Sequence, residues 1–254
     1  MLTLDEMIER KKLLGYSNRD IAAMSGVPLG TVQKIFSGAT QKPHLQTMIL
    51  LDDLLSKDPK RQGEFTVGDY MALPDDRRVE LIDGIIYDMA APTKLHQSLI
   101  GAIFVPFYNY LLEHEERDCE ILLSPVDVQL DADNRTMIQP DLVGLSYRGA
   151  EDPRHVDQRR IFGAPDFILE VLSPSSSSRD CILKLHKYQA AGCGEYWIVD
   201  PEHERVTVYR FRDKVLLDAP IQYTFQDQIA VAMSDDQLII DFAKIRRQLH
   251  RYYK

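Results

Sequence analysis

The sequence is poor in the features that mark several common protein classes. Its 254 residues hold only three cysteines, Cys119, Cys181 and Cys193. They form neither an even disulfide set nor a CxxC zinc pair, so a disulfide scaffold and a zinc module are excluded and the thiols read as reduced core fillers. Long apolar runs are also missing. The most lipid-like stretch, Leu99 to Leu112, is too short for a bilayer and contains Pro106 and Asn109; it reads as a buried helix, and no membrane span is expected. The first residues, MLTLDEMIERKK, put acids ahead of bases with no apolar segment. No secretory signal is read there, and a cytoplasmic location is expected. Neither a GxSxG elbow nor a GxxxxGK[ST] loop occurs, which argues against a serine-triad hydrolase and a P-loop NTPase. No internal repeat is visible, and Ser173 to Ser178 is the single low-complexity tract.

An excess of basic residues is lacking too: 30 Lys and Arg face 39 Asp and Glu, for a net charge of −9. A surface that is acidic overall repels phosphate beyond its direct contacts, so any nucleic-acid site must be local. Charge is unevenly spread. Residues 1–44 carry six bases and four acids, net +2, which leaves −11 on the remainder. That asymmetry is consistent with different partners for the two ends, though a net charge of +2 does not by itself establish one. At 44% hydrophobic and 27% charged, the composition is globular, enough for one or two domains with a buried core, and excludes wholesale disorder and fibres.

The first 55 residues read as short helices. Ser17 with Asp20 three positions on is a helix start, Ile21, Ala22 and Met24 follow, and Gly26 breaks the run. Pro28 suits the first turn of the next helix, Val32, Ile35 and Phe36 give one apolar stripe, and Ser37-Gly38 ends it. A third apolar run, Leu45 to Leu55, closes a small bundle. Helix, tight glycine turn, helix is a helix-turn-helix by spacing. Ala22, Gly26, Val27, Thr31, Val32 and Gly38 stand at the spacing of the Cro/repressor-like helix-turn-helix family, which residues 14–55 resemble. The resemblance implies that the second helix enters the major groove of double-stranded DNA with Leu29, Thr31, Gln33 and Lys34. Gln33 suits adenine edges, and Thr31 and Lys34 suit phosphate or guanine. Helix-turn-helix units also dock proteins, and that alternative stays open at the level of sequence.

Residues 56–65, SKDPKRQGEF, are polar and contain Pro59 and Gly63; they read as a linker. The expected domains are therefore 1–55 and 66–254. In the second, Thr66 with Asp69 starts a short helix, and Asp83-Gly84 between two apolar runs is a hairpin turn. A helix is expected over 93–115 and another over 179–191. Strands are expected at 120–123, 126–130, 138–146, 166–172, 195–199 and 205–211, which together indicate an α/β core.

Glu170 fits a structural account poorly. Apolar neighbours flank it in DFILEVL, the mark of a strand buried on both faces, where a carboxylate must be paired with a core cation or bind one. Asp141, between Pro140 and LVGL, either opens a strand or serves the same site. Two carboxylates on adjacent strands suit Mg²⁺, which takes few protein ligands and keeps waters for chemistry. Lys184 lies i,i+4 from Asp180 and from Tyr188, so it either pairs with Asp180 at the surface or serves the carboxylates as a water-orienting cation.

Pro140-Asp141, Glu170-Val-Leu-Ser-Pro-Ser175, Arg179-Asp180, Lys184, Tyr188 and Gly194-Glu-Tyr-Trp-Ile-Val-Asp-Pro201 resemble the Uma-type restriction endonuclease family of the PD-(D/E)XK nuclease superfamily. Glu80-Leu-Ile-Asp-Gly84 and Ala91-Pro92 with His96 fit the same pattern, and the resemblance spans about residues 65–215. It implies a restriction-endonuclease-like core, a mixed sheet flanked by helices. It also implies Asp141 and Glu170 as metal ligands for Mg²⁺ or Mn²⁺. The superfamily's lysine sits two residues after the acid, where this chain has Leu172; migration onto the next helix selects Lys184. Glu80, His96 and Tyr188 are accessory candidates, each with a bland alternative: a cross-strand pair, a capped or surface histidine, and packing. Arg148, Arg154, His155, Arg159 and Arg160 form a basic cluster suited to a phosphate backbone, diluted by Asp152 and Asp157. The resulting expectation is a metal-dependent endonuclease delivered to DNA by the helix-turn-helix, with a homodimer suited to cutting both strands. The alternatives are a non-catalytic DNA-binding regulator that keeps the nuclease fold for dimerisation or ligand sensing, and a protein-docking adaptor.

Overall fold

The structure is a computed structural model. It describes residues 2–40, 43–56, 61–74, 77–115, 118–130, 134–147, 152, 154, 157–173 and 178–253, apart from the side chains of 178–180. Two compact units are present, 1–89 with 134–136, and 90–133 with 137–254.

The first unit begins with four helices, α1 (Leu4–Leu14), α2 (Asn18–Ser25), α3 (Leu29–Phe36) and α4 (Leu45–Leu55). Thr3 with Glu6, and Ser17 with Asp20, form reciprocal capping boxes that satisfy the first free N–H groups of α1 and α2. Gly26 ends α2 at φ +70°, a left-handed conformation that costs glycine little, and so makes the tight turn into α3. Met7, Ile21, Val27, Val32, Ile35, Leu51 and Leu55 form the core of this bundle. Helix α5 (Val67–Met71) carries the expected Thr66–Asp69 capping box. Strands β1 (Val79–Ile82) and β2 (Ile85–Asp88) form the hairpin. Asp83 and Gly84 both have positive φ, the signature of a type I′ turn. Of the expected linker, residues 57–60 lie outside the described set. Gly63 and Phe65 are no free tether: both N–H groups bond the Gly84 carbonyl. Contacts thus group α5 and the hairpin with the N-terminal helices, whereas the sequence boundary fell at residue 66.

The second unit is built on a seven-stranded mixed sheet. Its strands are β3 (Cys119–Leu123), β5 (Leu142–Ser146), β7 (Phe167–Val171), β8 (Glu195–Asp200), β9 (Arg205–Arg212), β10 (Val215–Leu216) and β11 (Ile221–Thr224). The order is β10-β9-β8-β7-β5-β3, with β11 also on β9. The central pair β7–β8 is parallel and connected through α7 (Ser178–Ala191); β5 and β3 continue antiparallel. Alternation along the strands divides the faces. Phe167, Leu169, Val171, Trp197 and Val199 join Leu99, Ile103 and Phe107 of α6 (Lys94–Glu113) in the main core, while Tyr196 turns to Tyr188 of α7, ring centroids 4.8 Å apart. Gly144 of β5 is required by packing: a Cβ there would stand 2.7 Å from Met233 Sδ and 3.0 Å from Phe167 Cβ.

Two expectations are corrected. The run 138–146 is not one strand. Ile138 makes an isolated bridge with Val128, and β5 starts only at Leu142, because Pro140 has no N–H to give a ladder. The helix over 99–112 is buried on one face only. The C-terminal stretch holds short elements the periodicity did not reveal: β12 (Gln228–Ala230) pairs β13 (Ile239–Asp241), and α8 (Phe242–Gln248) follows. Short β4 (Asp127–Gln129) and β6 (Arg160–Phe162) pair in parallel. Among the described residues no helix is long and apolar enough to cross a membrane.

Candidate metal-binding active site

Asp141 stands one residue before β5, beyond the Leu142–Leu169 pair of the β5–β7 ladder. Antiparallel register therefore sets it beside Glu170, the fourth residue of β7. Its Oδ2 accepts from the Val171 N–H at 2.7 Å and lies 3.1 Å from His96 Nε2 on α6. From the other side of β7, Glu170 Oε1 accepts from Lys184 Nζ at 2.9 Å and from the Tyr188 hydroxyl at 2.9 Å, both on α7. The Glu170 and Lys184 side chains are 13% and 12% exposed, so the pair is nearly withdrawn from water. The sequence thus spreads this constellation over α6, β5, β7 and α7, and folding collects it at the C-terminal end of β7.

His96 has its pKa raised. Burial by itself works against its charge, but the hydrogen bond to Asp141 and that carboxylate's charge, with smaller help from the Val171 carbonyl and Glu170, outweigh the loss of solvent. The groups that could hold a cation are the two carboxylates, since His96 Nε2 is engaged with Asp141. No group of three or more His, Cys, Asp or Glu side chains among the described residues is arranged to enclose a metal. A pair of carboxylates nevertheless fits a small hard dication, which keeps several waters and is held by one or two carboxylates together with substrate phosphate.

Of the other candidates, Glu80 is buried in β1 of the first unit, opposite Tyr87. Thr31, Gln33 and Lys34 are all exposed on α3, while Val32 and Ile35 face the core. Lys184 is paired with Glu170 on β7; the side chain of Asp180, its expected surface partner, lies outside the described residues. The basic cluster is corrected. Arg154 does not face solvent: its guanidinium pairs with Asp152 at 2.6 Å and Asp166 at 2.7 Å and donates to the Ser146 carbonyl. Arg160 pairs with Asp157 and lies 4.3 Å from the Phe162 ring centre. Arg159 is exposed, and Arg148 and His155 lie outside the described residues, as do residues 174–177 of the serine tract. Sequence reasoning did not find the Val171 N–H, and no side-chain pattern could signal a backbone donor. The resemblance had put His96 among the accessory candidates, but residue spacing alone could not join it to Asp141, 45 positions away.

A mixed sheet with carboxylates on neighbouring strands and a lysine at hydrogen-bonding distance defines a restriction-endonuclease-like nuclease fold. Comparison with known proteins carries this to a family. The model of the Uma2 family, described as putative restriction endonuclease, matches residues 67–234, and the chain belongs to that family. A helix-turn-helix family model matches residues 7–61. The fold is similar to a solved structure from Anabaena variabilis ATCC 29413, described as a putative nuclease belonging to DUF820. Identity is 18% and the TM-score 0.57, over 71% of this chain and 97% of that one. No curated protein is significantly similar to the chain.

Proposed function

We propose that this protein is a Mg²⁺- or Mn²⁺-dependent endodeoxyribonuclease acting on double-stranded DNA in the cytoplasm. The observation that carries the reading is the Lys184–Glu170 contact of 2.9 Å beside Asp141: a lysine from a different element reaches the carboxylate pair even though Leu172 occupies the superfamily's usual lysine position. Asp141 and Glu170 would hold the cation, which when bound lowers the pKa of a water and offsets charge developing on phosphate. His96 and the Val171 N–H fix the Asp141 carboxylate, leaving its rotamer little freedom. Tyr188 does the same for Glu170. Lys184 supplies positive charge where a nucleophilic water is aligned and a phosphorane charge develops. The helix-turn-helix brings DNA through Thr31, Gln33 and Lys34, a local contact that the acidic remainder of the chain makes necessary.

The test is cleavage and binding on one plasmid substrate. Wild type nicks supercoiled DNA with Mg²⁺ or Mn²⁺ and not with chelator, and Glu170→Gln removes nicking with an unchanged circular dichroism spectrum. DNA shifts that persist without any cleavage, in wild type and variant alike, would replace the nuclease by a DNA-binding regulator.

A further inference from the structure

Helix α6 has two apolar faces, and the core accounts for one. Leu99, Ile100, Ile103 and Phe107 are buried against the sheet. On the opposite side Gly101, Val105, Tyr108 and Leu112 recur at spacings of four, three and four, the seam of a helix that packs on another helix. Val105, Tyr108 and Leu112 are 53%, 48% and 54% exposed. No Asp, Glu, Lys or Arg occurs from Leu95 to Leu112, although the solvent side of a surface helix ordinarily carries charge. A contiguous uncharged apolar stripe marks an interaction surface.

The charges at the helix ends select the occupant. Lys94 opens α6 and Glu113 closes it, with no acid in the first turn and no base in the last. That is the reverse of what the helix dipole favours, and of α1, which has Asp5 and Glu6 first and Lys11 and Lys12 last. An antiparallel second copy corrects both ends, since its Glu113 comes to the positive N-terminus beside Lys94, and its Lys94 to the negative C-terminus. With the crossing at Val105, Tyr108 of each copy also falls close to Gly101 of the other, a large side chain against a small one. A parallel copy would instead stack Lys94 on Lys94 and Glu113 on Glu113.

We propose that α6 is the two-fold interface of a homodimer, formed by the Gly101–Val105–Tyr108–Leu112 stripes of two antiparallel helices. From the helical rise of about 1.5 Å per residue, and with His96 nine residues from the crossing in each copy, the two His96 positions lie about 27 Å apart along the pair. One dimer then offers one carboxylate site for each DNA strand, although the interface itself does not depend on the nuclease reading.

The experiment is sedimentation equilibrium of the full chain over a concentration series, which reads mass and is blind to catalysis. Wild type sediments as a dimer. Val105→Glu with Leu112→Glu gives a monomer whose circular dichroism spectrum is unchanged. Lys94→Glu weakens the dimer by roughly tenfold or more, and adding Glu113→Lys in the same chain restores it. That rescue controls for misfolding of either single variant. A monomeric wild type, a dimer insensitive to the two glutamates, or a Lys94→Glu dimer as tight as wild type would each overturn the proposal.

Discussion

Replacing Lys184 by methionine separates a metal site from a structural ion pair. The substitution keeps most of the side-chain stem and deletes the ammonium 2.9 Å from Glu170 Oε1. Breaking a fully buried pair costs about 3–5 kcal/mol because it strands the remaining charge. Here both side chains keep slight exposure and the Tyr188 hydroxyl still donates to the carboxylate, so we expect ~2–3 kcal/mol. In calorimetry with chelator that is a fall of roughly 4–12 °C in the transition of the second unit. Divalent cation then discriminates. A ligand at one hundred times its Kd stabilises the folded state by about 2.7 kcal/mol, and the Lys184→Met variant no longer places an ammonium against the same carboxylate. Mg²⁺ therefore raises the melting temperature of the variant more than that of wild type and recovers most of the loss, while DNA cleavage stays absent. Equal destabilisation with and without Mg²⁺, and no metal-dependent shift in either protein, would make the Lys184–Glu170 contact a structural ion pair and refute the metal-site argument.

Two further outcomes are expected elsewhere in the chain. Lys34→Ala, at an exposed position of α3, should weaken binding about equally for all DNA sequences and reduce the salt slope of log K by about 1, as for loss of one phosphate contact; fluorescence anisotropy at several salt concentrations measures it, and an unchanged slope removes Lys34 from the interface. Gly144→Ala should destabilise the second unit by about 1–3 kcal/mol in urea, because its Cβ would meet Met233 Sδ at 2.7 Å and Phe167 Cβ at 3.0 Å. An unaltered midpoint would mean that Met233 moves aside at no cost.

Local chemistry was legible before folding. Capping boxes at Ser17 and Thr66, the αL glycine at Gly26 and the Asp83-Gly84 turn each act within four residues, so sequence alone determines them. The burial of Glu170 between apolar neighbours and the position of Asp141 after Pro140 were readable for the same reason, since strand periodicity and proline act on adjacent positions. The tertiary structure alone decided what these groups meet. The β5–β7 register brings Asp141 beside Glu170, α7 delivers Lys184 and Tyr188, and α6 carries His96 to Asp141 from 45 residues upstream. It likewise turned Arg154 from a phosphate-facing candidate into the partner of Asp152 and Asp166. Such pairings depend on loop closure and on which helix face the sheet covers, and both are settled by burial of apolar area summed over the whole core, a quantity that no local window of sequence contains.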